Sequence, residues 1–382
     1  MLQPYLPRAI FNAFQNKIVG QKVLILLGAR RVGKTALIKK YLETLDKAEY
    51  MLFNGEDHLT IELFAERSVA NYQRILGDCR LLVIDEAQKI PDIGLKLKLM
   101  VDSIPDLKII VTGSSTFDLN NQLGEPLVGR ANPMHLYPLA QMEFDKQENF
   151  AETVTNLEER LIFGGYPELT QYQNWQQKAE YLDNIVNAYL LRDVLQYEGV
   201  KKSNKLWDLL RLMAYQVGHE VKLDELATSL KGISRNTVER YLDLLSKVFV
   251  LYNVRGFSRN LRKEITKTSR WYFYDNGIRN AVIRNYGRLN QRQDIGQLWE
   301  NYLMSERIKF NAYNQKMVDY FFWRTYDQQE IDLIEIEGDN LRGFEFKWSK
   351  NKVVKAPGGW TNAYPEATFQ TIHPNNYLEF IT

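Results

Sequence analysis

The chain has one cysteine, Cys79, in 382 residues. A lone thiol excludes an internal disulfide framework and a zinc site built on cysteines. Long apolar runs are missing too. The longest purely aliphatic stretch, Val23 to Leu27, is a strand's length, far short of the ~20 residues that cross a bilayer. The start, MLQPYLPRAI, lacks the basic-then-apolar order of a signal peptide. A cytoplasmic protein with no membrane partner is the expectation. Net charge is almost absent, at +2, and says nothing about partners until it is localised. From Lys201 to Arg270, 15 Lys+Arg stand against 7 Asp+Glu, a local excess of +8, which leaves −6 for the rest. That middle segment suits a phosphate backbone or a solvated helical surface.

What is present is the composition of a soluble globular protein, 45% hydrophobic and 25% charged, long enough for two or three domains. KVLILLGARRVGKTALIKKYL reads as a strand, a glycine loop and a helix starting near Lys34. The loop fits G-x-x-x-x-G-K-[ST] through Gly28, Gly33, Lys34 and Thr35. Free amides at the helix start cradle phosphates, Lys34 reaches the β and γ phosphates of ATP, and Thr35 binds Mg2+. Arg30 and Arg31 add positive charge at the mouth.

RLLVIDEAQKI supplies the second half of a nucleotide site. Leu81 to Ile84 read as a buried parallel strand that ends in Asp85-Glu86. Asp85 would hold Mg2+ through water, and Glu86 would polarise the attacking water. LKIIVTGSS is a further strand ending in Thr112, Ser114 and Ser115, placed to sense the γ phosphate. EYMLFN, between the two motifs, is another strand candidate. The set suggests a P-loop enzyme that hydrolyses ATP with a glutamate.

In GARRVGKT, LLVIDEAQ, VTGSS, LVGRANPMHLYPL, FGGYPEL, YLLRDVL, EIDLI and EFK, nearly the whole chain resembles the prokaryotic AAA-type ATPases of the archaeal-ATPase kind. Their C-terminal half is a domain of unknown function. The resemblance implies a homo-oligomer, in ring form a hexamer, with an arginine after the sensor strand completing a neighbour's site. Arg130 occupies a suitable place, and an ordinary surface arginine is the other reading.

Residues 151–198 carry helical periodicity around Gly164-Gly165-Tyr166-Pro167, and the resemblance makes this the lid side. Arg192 and Asp193 receive no role. In VKLDELATSLKGISRNTVERYLDLLSKVFVLYNVRGF, Leu223, Leu226, Ala227 and Leu230 fit one helix. Ser234 caps a second, whose Val238, Tyr241, Leu242 and Leu245 face inward, and Phe249 to Val254 reads as a strand. This is a winged helix-turn-helix layout, with Arg235 and Arg240 exposed to meet DNA phosphates or a protein partner.

Near the end, EIDLIEIEGDNLRGFEFK reads as a hairpin turning at Gly338-Asp339. Asp332 then falls opposite Glu345, Leu333 opposite Phe344, Glu335 opposite Arg342, and Ile331 opposite Phe346. Asp332, Glu345 and Lys347 share a face with Ile334 and Ile336. Like charges so placed repel, and partial burial aggravates this. A divalent metal on Asp332 and Glu345, with the Phe346 carbonyl as a third ligand and Lys347 alongside, would compensate. Lys347 pairing with both acids in a structural network would compensate as well. The same residues match the PD-(D/E)xK nuclease pattern, to which the resembled family's C-terminal domain is similar, with Glu300 as the acid of the preceding helix.

The expected fold is α/β throughout its two ends. Residues 1–145 form a P-loop AAA-type parallel-sheet core and 146–198 a helical lid-like segment. Residues 199–270 form a winged helix, and 271–382 a small α/β domain like restriction endonucleases. Three functions compete: an ATP-driven machine acting on DNA, a metal-dependent DNA nuclease gated by ATP, and a nucleotide-state switch on a protein partner.

Overall fold

The computed structural model describes residues 5–114, 127–145, 147–190, 203–258, 269–350 and 352–382. Ser115, Arg192 and Asp193 lie outside them. The chain divides into two compact units, Met1–Pro138 with Lys247–Phe249, and Leu139–Ser246 with Val250–Thr382.

The first unit is built on a five-stranded parallel sheet of β1 (Val23–Leu27), β2 (Tyr50–Asn54), β3 (Leu81–Asp85), β4 (Lys108–Gly113) and β5 (Ala131–His135). Its order is β2-β3-β4-β1-β5. β1, and β3 as far as Ile84, are buried, as continuous aliphatic runs in a parallel sheet must be. The strand standing between β1 and β3 is β4, while β2 lies at the edge and is only half-buried. Both motif strands therefore end on the same side of one sheet, separated by the strand that carries Thr112 and Ser114.

The second unit contains one seven-stranded sheet. Its strands are β6 (Glu220–Val221), β7 (Leu251–Gly256), β8 (Ser269–Phe273), β9 (Asp319–Arg324), β10 (Glu330–Glu337), β11 (Asn340–Phe346) and β12 (Thr368–Ile372). Their order is β12-β11-β10-β9-β7-β8-β6. The expected helices are present as Leu223–Leu230 and Arg235–Lys247, with Val238, Tyr241, Leu242 and Leu245 buried. Ser234 Oγ accepts the Thr237 amide at 3.3 Å, the cap that the sequence suggested. The wing strands β7 and β8 do not close a separate module. β7 pairs with β9 in parallel, so both belong to the larger sheet.

The GGYP glycines have a packing reason. Gly164 takes φ 73°, and a Cβ there would stand 2.1 Å from Asp275 Oδ1. Asp275 accepts from Gly165 N at 2.7 Å and caps Asn276–Val282 through Ile278 N. A second knot forms around Asp294. It receives Arg279 Nη1 at 2.5 Å and Arg292 Nη2 at 2.8 Å, both side chains being 1% exposed. Burial alone would push the Asp294 carboxyl up, but hydrogen bonds and charge from Arg292 and Arg279 bring it down to about 2.

No helix among the described residues is long and apolar enough to cross a membrane.

Candidate active site

After β1 the chain turns through Gly28 to Gly33 and enters the helix Lys34–Leu42. Gly28 is required by a close approach, since a Cβ there would stand 2.2 Å from the Leu136 carbonyl oxygen. Lys34 is 5% exposed and lies across its own loop, donating from Nζ to the carbonyls of Gly28 at 2.7 Å and Ala29 at 3.0 Å. Arg31 is exposed and Arg30 half-buried at the loop. Buried Arg8 went unread in the sequence. Its Nη1 donates to Val32 O and its Nη2 to Tyr137 O, each at 2.7 Å, which pins the loop to the chain beyond β5. No local pattern announces such a residue.

Across β4, the end of β3 faces this loop. Thr35 Oγ1 donates to Asp85 Oδ2 at 2.7 Å, and Thr112 Oγ1 donates to Asp85 Oδ1 at 2.5 Å. The Glu86 amide donates to Thr112 Oγ1 at 2.8 Å. Thr112 is thus a clamp on the acidic pair. Glu86 sits at φ 52°, a left-handed conformation that costs a non-glycine residue about 1–3 kcal/mol. Gly55 packs against it: a Cβ on Gly55 would stand 2.3 Å from Glu86 O. The Glu86 side chain is held by Gln88, another residue the sequence reading passed over, whose Nε2 donates to Oε2 at 2.6 Å. Gly28, Gly33, Lys34, Thr35, Asp85, Glu86 and Ser114 therefore gather at one end of the sheet. Thr35 Oγ1 and Asp85 Oδ2 are hard oxygen donors one hydrogen bond apart, a donor pair that fits Mg2+.

Arg130 is at the other end. It precedes β5, and its carbonyl accepts from Val23 N, the first residue of β1. Its Nε donates to Asp102 Oδ1 at 2.6 Å, and both side chains are 37% exposed.

Comparison with known proteins agrees with the loop and the acidic strand. Residues 20–145 match a family described as an AAA domain. That segment, which holds the glycine loop, the acidic strand and the five-stranded parallel sheet, is similar to AAA domains. Residues 154–289 and 295–374 match two further families, each described as a domain of unknown function. Similar curated proteins include an uncharacterized protein of Mycobacterium tuberculosis, 27% identical over 334 residues, covering 85% of this chain and 70% of that one. Another, from Methanocaldococcus jannaschii, is 23% identical over 365 residues, covering 91% and 79%. Among solved structures, the Aeropyrum pernix ORC1 protein in complex with DNA is 13% identical, with TM-score 0.33, covering 74% of this chain and 95% of that one. AMPPCP-bound DnaA from Aquifex aeolicus is 13% identical, with TM-score 0.30, covering 62% and 85%. Likeness at that level extends to neither protein's ligand.

In the second unit, Arg235 and Arg240 are exposed on their helix. Arg235 Nη1 lies 3.6 Å from Asp224, and Arg240 lies over the Tyr241 ring.

The terminal hairpin has the register expected, with Leu333 opposite Phe344 and Glu335 opposite Arg342, and Gly338 at φ 59° in the turn. The ladder stops at Leu333. Beyond it Asp332 Oδ2 accepts the Phe346 amide at 2.8 Å. β10 also slips by one residue against β9 between Ile331 and Ile334. Ile331 therefore joins Ile334, Trp323 and Trp360 in one apolar cluster, a correction to the alternation that set them on opposite faces.

Asp332 and Glu345 are buried, and cationic side chains compensate them. Lys347 Nζ donates to Glu345 Oε1 at 2.6 Å. Arg270, 4% exposed on β8, bonds Glu330 at 2.9 Å and reaches 3.6 Å from Asp332 Oδ1 and 3.8 Å from Glu300 Oε1. Tyr272 OH donates to Glu300 Oε1 at 2.7 Å. Burial raises the Glu300 carboxyl to about 7 despite Arg270 and Tyr272. Burial, then the charges of Glu300 and Glu345, push Asp332 up as well. Among the described residues no group of three or more His, Cys, Asp or Glu is arranged to hold a metal ion. Lys347 takes Glu345 Oε1, while Glu345 Oε2 is buried with no hydrogen-bond partner among the described residues.

Proposed function

We propose that the chain is a Mg2+-dependent ATPase whose turnover is carried out by the first unit. The observation that carries this reading is the bond of Thr35 Oγ1 to Asp85 Oδ2 at 2.7 Å, with Glu86 next in the chain and Lys34 across the loop. Loop amides and Lys34 bind and orient the β and γ phosphates, and Lys34 offsets charge on the transferred phosphoryl group. Thr35 and Asp85 would hold Mg2+, which supplies charge neutralisation at the phosphates when bound. Glu86 accepts a proton from the attacking water. Turnover of Glu86→Gln, measured beside its nucleotide affinity, tests the assignment.

For the second unit we favour DNA contact, because Arg235 and Arg240 are exposed within the segment of +8 local charge. Assembly into a homo-oligomer fits Arg130, which stands at the sheet end away from its own loop. The acids around Arg270 are read as a charge lock in the sheet, with no cleavage step assigned to them.

A further inference from the structure

Gln88 lies in the short turn Ala87–Lys89 that follows the acidic pair, and it is 8% exposed. Its Nε2 donates to Glu86 Oε2 at 2.6 Å and lies 3.4 Å from Ser114 Oγ, at the end of β4. A carboxylate only accepts hydrogen bonds, so the amide nitrogen must be the atom turned toward Glu86. That leaves Gln88 Oε1, and this oxygen is buried with no hydrogen-bond partner among the described residues. A buried carbonyl oxygen without a donor is uncommon and asks for a proton-bearing ligand. The backbone of Glu86 is fixed separately, by Thr112 Oγ1 on its amide and by the close approach of Gly55. Only the carboxylate's direction remains to be set, and Gln88 sets it.

We propose that Gln88 is a positioning residue for ATP hydrolysis: it aims the Glu86 carboxylate and offers its own amide oxygen as a second acceptor to the attacking water. This rests on the ATPase reading given above. One hydrogen of the water goes to Glu86, which takes the proton as the oxygen attacks phosphorus. The other is held by Gln88 Oε1, so the lone pair faces the γ phosphate. The leaving ADP oxygen carries away the electron pair of the broken bond. Contact with Ser114 ties this pair of acceptors to the strand that ends beside the phosphate.

The test measures kcat, KM, melting temperature and affinity for a non-hydrolysable ATP analogue in wild type, Gln88→Ala, Gln88→Glu and Glu86→Gln. Gln88→Ala is expected to lose roughly tenfold or more in kcat with KM and analogue affinity little changed, since water orientation enters only in the transition state. Gln88→Glu keeps an acceptor oxygen but removes the N–H that Glu86 accepts, so kcat is expected to fall there as well. A purely structural turn residue moves the melting temperature and leaves kcat alone in both variants; that result overturns the inference. Should Gln88→Ala fail to fold, the kcat of Gln88→Glu decides, and an unchanged kcat counts against the proposal. The two levels separate cleanly. An inactive wild type, or a Glu86→Gln that turns over normally, removes the ATPase reading itself. An active wild type, a dead Glu86→Gln and a fully active Gln88→Ala remove only the role of Gln88.

Discussion

Thr35 Oγ1 and Asp85 Oδ2 stand 2.7 Å apart, so the last residue of the glycine-loop motif meets the last residue of β3. Fifty positions of sequence separate them, and β4 lies between their strands. Parallel strands make the meeting possible, because β1 and β3 both point their C-terminal ends at the same edge. The proposed nucleotide site follows from that geometry.

Arg130 is held by its own chain's Asp102 at 2.6 Å, which leaves it on the sheet end remote from its own loop. If it completes a neighbour's site, Arg130→Ala lowers turnover, and finger arginines contribute roughly 10³-fold or more. Mixing Arg130→Ala with Lys34→Ala then restores activity at interfaces that combine an intact loop with an intact arginine. A monomer with a concentration-independent specific rate counts against the assembly.

Among the described residues, Asp294 is the carboxylate that bridges Arg279 and Arg292. Asp294→Asn leaves two buried guanidinium groups under-compensated and is expected to cost about 3–5 kcal/mol at neutral pH. Its carboxyl is lower in the folded chain, about 2, than the ordinary 3.8. The stabilisation is therefore full above pH 3.8 and fades as pH falls through 2. Urea unfolding of both proteins at neutral pH, and melting at pH 3 and below, should show the gap narrowing in acid. A gap constant with pH contradicts the pairing.

Arg270 is expected to matter to stability more than Asp332 does. Arg270→Met strips the cation from Glu300, Glu330 and Asp332 and should cost about 3–5 kcal/mol in urea unfolding. Asp332→Asn retains an amide oxygen to accept the Phe346 N–H and should cost less. Titration with Mn2+ in the absence of nucleotide should reveal no binding that Asp332→Asn abolishes. A saturable signal lost in that variant would return the hairpin to a metal site.

For DNA, the expected signature is in the salt dependence. Replacing Arg235 or Arg240 with Ala should flatten the slope of log affinity against log salt by about 0.9 each, one counterion per lost phosphate contact. An unchanged slope in both variants assigns the helix to another partner.

The legible features were local ones. The glycine loop needs eight consecutive residues, and the hairpin register needs a Gly-Asp turn between alternating runs, so both could be read directly. The bulge was not legible, because EIDLIEIE alternates without a break and the slip at Ile331 to Ile334 is imposed by β9. Arg270 was missed for a similar reason: β8 lies far upstream of Asp332 in sequence and reached the acids only through the joining of β7 to β9. Gln88 followed its partner by two residues, yet a polar residue after a strand looks like a turn until its burial is known.

The most direct test of the account is ATP turnover by Glu86→Gln, with Lys34→Ala as the control that loses nucleotide binding by roughly 10- to 100-fold. Glu86→Gln should bind ATP as the wild type does and hydrolyse it about 10²–10⁴-fold more slowly, because an amide cannot take the water's proton. Turnover at the wild-type rate in Glu86→Gln, or full nucleotide affinity in Lys34→Ala, would contradict it.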